Sequence, residues 1–182
     1  PAQLFTVKTP ITTVEGFAGA KLRSPQPATT EVLTLLRAVP VVKPVPEIYE
    51  LASGGVIDGG VITPETITGF KLDGVLKQLS FYPGGLATTV NMLAINQDTW
   101  SRISEKDRAA ITAISGEVLA TKSGAAHQNA IDAAYQSFKT SGVQRADAAA
   151  EVVGQIRQII APVETAWVER ASKAGLADPQ EI

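Results

Sequence analysis

Short apolar runs alternate with helical patterns over the first third of the chain. Residues 20–22, 39–42 and 56–57 are brief, apolar and bounded by turn formers, and a segment with helical spacing follows each. Strands separated by helices predict a parallel sheet with helical crossovers. Residues 4–8 read as an extended segment leading into the domain. Val32, Leu33, Leu35 and Leu36 predict a helix from about Thr29 or Thr30 with that face on the sheet. A shorter helix is expected over 47–52, stopped by Gly54-Gly55. Further strands are expected over 78–81 and 88–95, parted by Tyr82-Pro83-Gly84-Gly85. Ser104-Glu105-Lys106-Asp107 resembles a capping box with Asp in place of Glu. The apolar spacing of Ile111, Ile114, Val118, Ile131, Tyr135 and Phe138 then predicts one nearly continuous helix over 104–140. At 1.5 Å per residue it would be about 55 Å long, with Gly116 and Gly124 the expected places for a bend. Ser141-Gly142 ends it, Val143 begins a short strand, and two helices follow over 148–160 and 162–174, the second opened by Pro162. Tyr49, Trp100 and Trp167 are expected in the core.

In an open α/β sheet, ligands sit in the crevice at the carboxyl ends of the strands. Those ends carry Arg23, then Pro44-Val45-Pro46, then Asp58 and the residues up to Thr63. Arg23 is followed by Ser24-Pro25-Gln26-Pro27, where two prolines stiffen the loop. A guanidinium there offers a planar fork that matches a carboxylate; the plainer reading is a solvated arginine at a strand end. Asp58-Gly59-Gly60 predicts a tight turn with an accessible backbone, and Asp58 itself is expected to brace that turn. Thr63 and Pro64 predict a helix start, with Thr63 as N-cap and Pro64 at the first helical position. Thr63 and Glu65 are therefore either pocket residues or cap residues.

Composition narrows the classes. The chain has 182 residues with a formal net charge of −2, so it lacks the basic footprint of a nucleic-acid binder. Without cysteine it has no disulfide or thiolate chemistry. No apolar run approaches the roughly 18 residues of a membrane span, and no export signal is visible. The single histidine, His127, lies within a helical pattern without a second ligand nearby, so neither a metal site nor an acid–base role is expected of it. The nucleophile-elbow, phosphate-loop and dinucleotide patterns are missing, and no cofactor is expected.

The ordered set of short motifs resembles one family: the extracytoplasmic solute-binding proteins of TRAP transporters, which include dicarboxylate-binding receptors. The matching residues are Lys21-Leu22-Arg23, Pro44-Val45-Pro46-Glu47-Ile48-Tyr49 and Val56-Ile57-Asp58-Gly59. Gly60-Val61-Ile62-Thr63-Pro64-Glu65, Phe70-Lys71-Leu72 and Ala94-Ile95-Asn96 with Trp100 continue the match. At Thr63-Pro64 the chain departs from the family's proline-tryptophan pair. The resemblance implies a periplasmic-binding-protein-like lobe, an α/β fold with a parallel-rich sheet flanked by helices and a long helix spanning two lobes. Residues 1–85 would form the ligand-binding lobe, 86–140 a crossover strand and long helix, and 141–182 helices packing back. It also implies an N-terminal lobe and export signal ahead of Lys8-Thr9-Pro10-Ile11, so this chain is expected to be the C-terminal part of a longer protein. The implied function is capture of an organic acid in the periplasm for membrane subunits of a TRAP transporter, without catalysis. Arg23 would anchor the carboxylate, with Val45, Gly60, Thr63, Glu65, Tyr82 and Asn91 shaping the pocket. Exposed apolar residues along 88–95 would favour self-association of the chain on its own. The alternative is a small α/β hydrolase or lyase acting on a carboxylate substrate, with Asp58 and Glu65 as its acid pair.

Overall fold

The computed structural model describes residues 1–181. A six-stranded sheet forms its centre, in the order β3-β2-β4-β1-β5-β6. The strands are β1 (Gln3–Thr6), β2 (Lys21–Ser24), β3 (Val39–Val42), β4 (Gly59–Ile62), β5 (Gln78–Phe81) and β6 (Gln144–Asp147). β2 runs parallel to β3 and β4, and β5 runs parallel to β6. β1 is antiparallel to both its neighbours, β4 and β5. The sheet is therefore mixed, with a single reversed strand at its middle.

The pleat sends alternate β1 side chains to opposite faces. Leu4 joins a core with Leu22, Leu33, Val61 and Ile156, beneath the helices α1 (Pro27–Leu35) and α7 (Ala150–Lys173). Phe5 joins a second core with Ile48, Ile62, Ile67 and Leu79. Phe138 closes that core, its ring 5.7 Å from that of Phe5. The second face is covered by α2 (Ile48–Ser53), α3 (Pro64–Gly69) and α6 (Glu117–Ser141). Helices on both faces of a largely parallel sheet are the architecture that the alternating pattern implies.

Several expected elements are corrected. Residues 56–57 are not a strand; the third parallel strand is Gly59–Ile62, so Gly59 and Gly60 lie in the sheet rather than in a turn. Their missing side chains let strands approach: a Cβ on Gly59 would sit 2.2 Å from the Phe5 carbonyl oxygen, and one on Gly60 would sit 2.8 Å from the Arg23 Cβ. Residues 88–95 are extended but pair with no strand, because no described edge lies alongside them; Val90, Met92 and Leu93 are each at least 85% exposed. The helix expected over 104–140 is two helices, α5 (Glu105–Ala113) and α6. They part at Gly116, whose φ of 57° breaks the helical backbone at little steric cost; Gly124 stays helical. The Ser104 hydroxyl caps α5, accepting from the Asp107 amide at 3.2 Å, but it also donates to the Asp107 carboxylate at 2.7 Å, so the carboxylate meets the hydroxyl rather than the Ser104 amide that a capping box would use. Conversely, the two C-terminal helices are one, α7, with Pro162 inside it. Pro162 forfeits one amide donor there without ending the helix. A further short helix, α4 (Gln97–Arg102), starts at Asn96, whose side chain accepts from the Asp98 and Thr99 amides. Tyr49 and Trp167 are 46% and 41% exposed and Trp100 is half-buried, so none of the three is a core residue. Leu35, expected against the sheet, faces outward at 40% exposure.

Candidate functional site

At the carboxyl ends of β2 and β4 lies a cavity of about 470 Å³. Its walls come from β2 through Arg23 and Pro25, from the turn after β3 through Val45, and from β4 and α3 through Val61, Ile62, Thr63, Glu65 and Thr66. Thr88, Thr89 and Asn91 on the extended segment, and His127 on α6, complete it. Of the residues expected from sequence, Arg23, Val45, Thr63, Glu65 and Asn91 converge here. His127 and Thr66 join them unanticipated.

Arg23 is only 7% exposed. Its position follows from strand register: it pairs with Val41 on one side and Gly60 on the other. The absent Gly60 side chain leaves the room through which the arginine passes. Gly60 therefore serves the site as a spacer and does not line the cavity. The guanidinium is aimed by two backbone acceptors: Nε donates to the Lys43 carbonyl at 2.9 Å, and Nη1 donates to the Val61 carbonyl at 3.4 Å. Neither bond uses Nη2, and among the described residues no carboxylate pairs with Arg23. Burial lowers its pKa from the ordinary arginine value, yet a guanidinium remains a cation at neutral pH. A buried cation with an unclaimed face of its fork is matched to a carboxylate.

The loop after β2 holds this geometry. The Ser24 hydroxyl donates to the Gln26 carbonyl at 3.0 Å and accepts from Thr30 at 2.9 Å. The Gln26 side chain donates to the Thr88 carbonyl at 3.2 Å, tying the extended segment to the cavity rim.

The opposite wall is polar. Thr63 occupies the N-cap position of α3 with Pro64 at the first helical position, but its hydroxyl makes no capping bond to the backbone. It donates to Glu65 Oε1 instead and lies 2.8 Å from the Thr66 hydroxyl. His127 Nε2 stands 3.5 Å from the same Oε1. The other carboxylate oxygen, Oε2, is buried without a hydrogen-bond partner. Tyr135 lies behind: burial raises its pKa, with Arg145 opposing the rise and the Glu65 charge adding to it.

Two expected residues are elsewhere. Tyr82 is 1% exposed; its hydroxyl donates to the Ile11 carbonyl at 2.5 Å, and its amide donates to the Gln3 side chain at 2.8 Å. Burial drives its pKa upward. It braces the core and is absent from the cavity. The Asp58 carboxylate accepts from the Lys21 amide at 2.8 Å, which fixes the start of β2. Asp58 and Glu65 therefore do not face each other across a substrate. No group of three or more metal-ligating side chains occurs among the described residues.

Comparison with known proteins places this arrangement. Residues 2–170 match the model of the bacterial extracellular solute-binding proteins, family 7. A TRAP periplasmic solute-binding protein from Bordetella bronchiseptica, solved with bound (R)- and (S)-mandelate, is 29% identical with a TM-score of 0.87. Its match covers 100% of this chain and 57% of that one. A TRAP solute-binding protein from Rhodoferax ferrireducens, in complex with copurified benzoate, is 25% identical with a TM-score of 0.85, again over 100% and 57%. The outer membrane transporter protein TsaT of Comamonas testosteroni is 27% identical over 178 residues, which are 97% of this chain and 52% of that protein. This chain thus spans about half the length of the relatives it matches. It belongs to the family 7 bacterial extracellular solute-binding proteins.

Proposed function

We propose that this chain supplies the ligand-anchoring lobe of a receptor for organic acids. The observation that carries the reading is Arg23: a buried guanidinium in a cavity, aimed by two carbonyls and claimed by no protein carboxylate. Val45, Val61, Ile62 and Pro25 give the cavity an apolar wall for the body of the acid. The solved relatives with bound mandelate and benzoate support the ligand class. Within this reading residues 1–85 supply most of the ligand site, 86–140 add Asn91 and His127 to it and reach toward a further lobe, and 141–182 pack back. The receptor works in the periplasm and delivers its ligand to the membrane subunits of a TRAP transporter. No helix among the described residues is long and apolar enough to cross a membrane. Val90, Met92 and Leu93 are too exposed and apolar to remain uncovered; further residues of the receptor cover them, or a second copy does when the chain stands alone.

The test is thermal melting of the intact receptor with a panel of small carboxylic acids and their amides. A binding acid at one hundred times its Kd stabilises by about 2.7 kcal/mol. The acids should raise Tm and the uncharged amides should not. A panel in which no carboxylate shifts Tm refutes the reading.

A further inference from the structure

The cavity has a second polar feature besides Arg23, and it is a Glu–His pair rather than another cation. Glu65 Oε1 and His127 Nε2 lie 3.5 Å apart on the cavity wall. That separation is too long for a good hydrogen bond between them. It is also the base of a triangle whose apex lies at about 2.8 Å from both atoms, the ordinary hydrogen-bond distance. With the ring proton on Nε2, an oxygen at that apex accepts from the imidazole and donates to Oε1. A hydroxyl does both, whereas a carboxylate cannot donate and would face the like charge of Glu65.

Further observations bear on this point. Thr63 holds Oε1 in place through its own hydroxyl, so the carboxylate is oriented before any ligand arrives. Oε2 is buried without a partner, so Oε1 is the carboxylate oxygen that meets Thr63 and His127. Both residues line the cavity, and 18% of the Glu65 side chain and 54% of the His127 side chain are exposed. Spacing follows from the strand: Arg23 is bonded to the Val61 carbonyl, and Thr63 lies two residues further along an extended backbone, on the order of 7 Å.

Resting on the carboxylate reading above, we propose that Glu65 and His127 form a hydroxyl-reading pole, which makes the preferred ligand a monocarboxylic acid with a hydroxyl at its far end. One wall takes the negative charge and the other takes the O–H. A second carboxylate at that end is rejected by Glu65, a repulsive element that sets specificity.

Calorimetry on the intact receptor tests this with benzoate, 3-hydroxybenzoate, 4-hydroxybenzoate and the dicarboxylate isophthalate. One hydroxybenzoate should bind about tenfold tighter than benzoate, the worth of one well-made hydrogen bond pair, and isophthalate should bind more weakly than benzoate. In Glu65→Ala and in His127→Phe the ratio of hydroxybenzoate to benzoate affinity should fall toward one. Equal affinity of all three monocarboxylates for the wild type, or a ratio that survives both substitutions, overturns this inference and leaves the carboxylate reading standing. Failure of every acid to bind overturns both. The wild-type comparison decides the matter even where a variant does not fold.

Discussion

Gly60→Ala joins the architecture to the site in a single methyl group. The new Cβ would lie 2.8 Å from the Arg23 Cβ and 3.3 Å from the Arg23 carbonyl oxygen, closer than carbon atoms tolerate. Relief by moving β4 away from β2 is blocked, because β4 is already paired with β1 on its other side, Phe5 opposite Gly60. The strain must fall on the β2–β4 ladder and on Arg23. Overpacking of this kind costs about 1–3 kcal/mol. At about 2–4 °C per kcal/mol for a domain of this size, Tm should fall by several degrees. Because Arg23 is displaced from the Lys43 and Val61 carbonyls, acid affinity should fall with stability. Gly124→Ala is the matched control: it lies in the exposed interior of α6, and its added Cβ meets nothing within 4 Å. Replacing glycine in a helix interior should there stabilise by about 0.5–1 kcal/mol. Differential scanning calorimetry of the intact receptor, followed by ligand titration, reads both effects. An unchanged Tm and unchanged acid affinity for Gly60→Ala would refute the argument that the empty Cβ position admits Arg23.

Three other outcomes are expected. Arg23→Ala should weaken acid binding by about 2–5 kcal/mol, since the ligand charge would be left buried without its partner, and Arg23→Lys should also lose affinity because an ammonium cannot reproduce the fork; titration calorimetry measures both. Phe138→Ala, which empties the site packed edge-on against Phe5 and Tyr135, should cost about 3–5 kcal/mol in chemical denaturation by loosening α6 from the sheet. Tyr82→Phe removes the buried hydroxyl that bonds the Ile11 carbonyl and should lower stability by about 1–3 kcal/mol while leaving acid affinity unchanged; a loss of affinity would return Tyr82 to the site.

What could be read from the chain depended on how local its cause is. The ranges Val39–Val42, rich in β-branched valine, and Gln78–Phe81, alternating polar and apolar, are legible because such local patterns between turn formers need no distant partner to stand out. Gly59 and Gly60 were misread as a turn. A glycine pair looks the same whether it serves a positive φ or a close approach, and only the neighbours Phe5 and Arg23 distinguish the two. Residues 4–8 look like an entry segment, yet most of them build a middle strand of the sheet, whose partners come about fifty-five and seventy-five residues later. Arg23 was found because its place at a strand end is a local fact. His127 was set aside as an isolated helical residue, and it reaches the cavity only because α6 packs beside α3, a contact no periodicity announces. The resemblance puts Tyr82 near the crevice, whereas its pairing with Gln3 and Ile11 turns it inward.

The reversed strand at the centre of the sheet also has a consequence for the order of assembly. β1 is translated before all five other strands, but both of its ladders wait for β4 and β5, and the last strand of the sheet ends only at Asp147. Contacts so distant along the chain make folding slow. A nascent chain that has not yet reached Asp147 cannot complete its sheet, and until β4 and β5 emerge the apolar residues Leu4 and Phe5 lack the strands that cover them. The sheet is therefore completed only after these strands have been made, rather than in step with their synthesis.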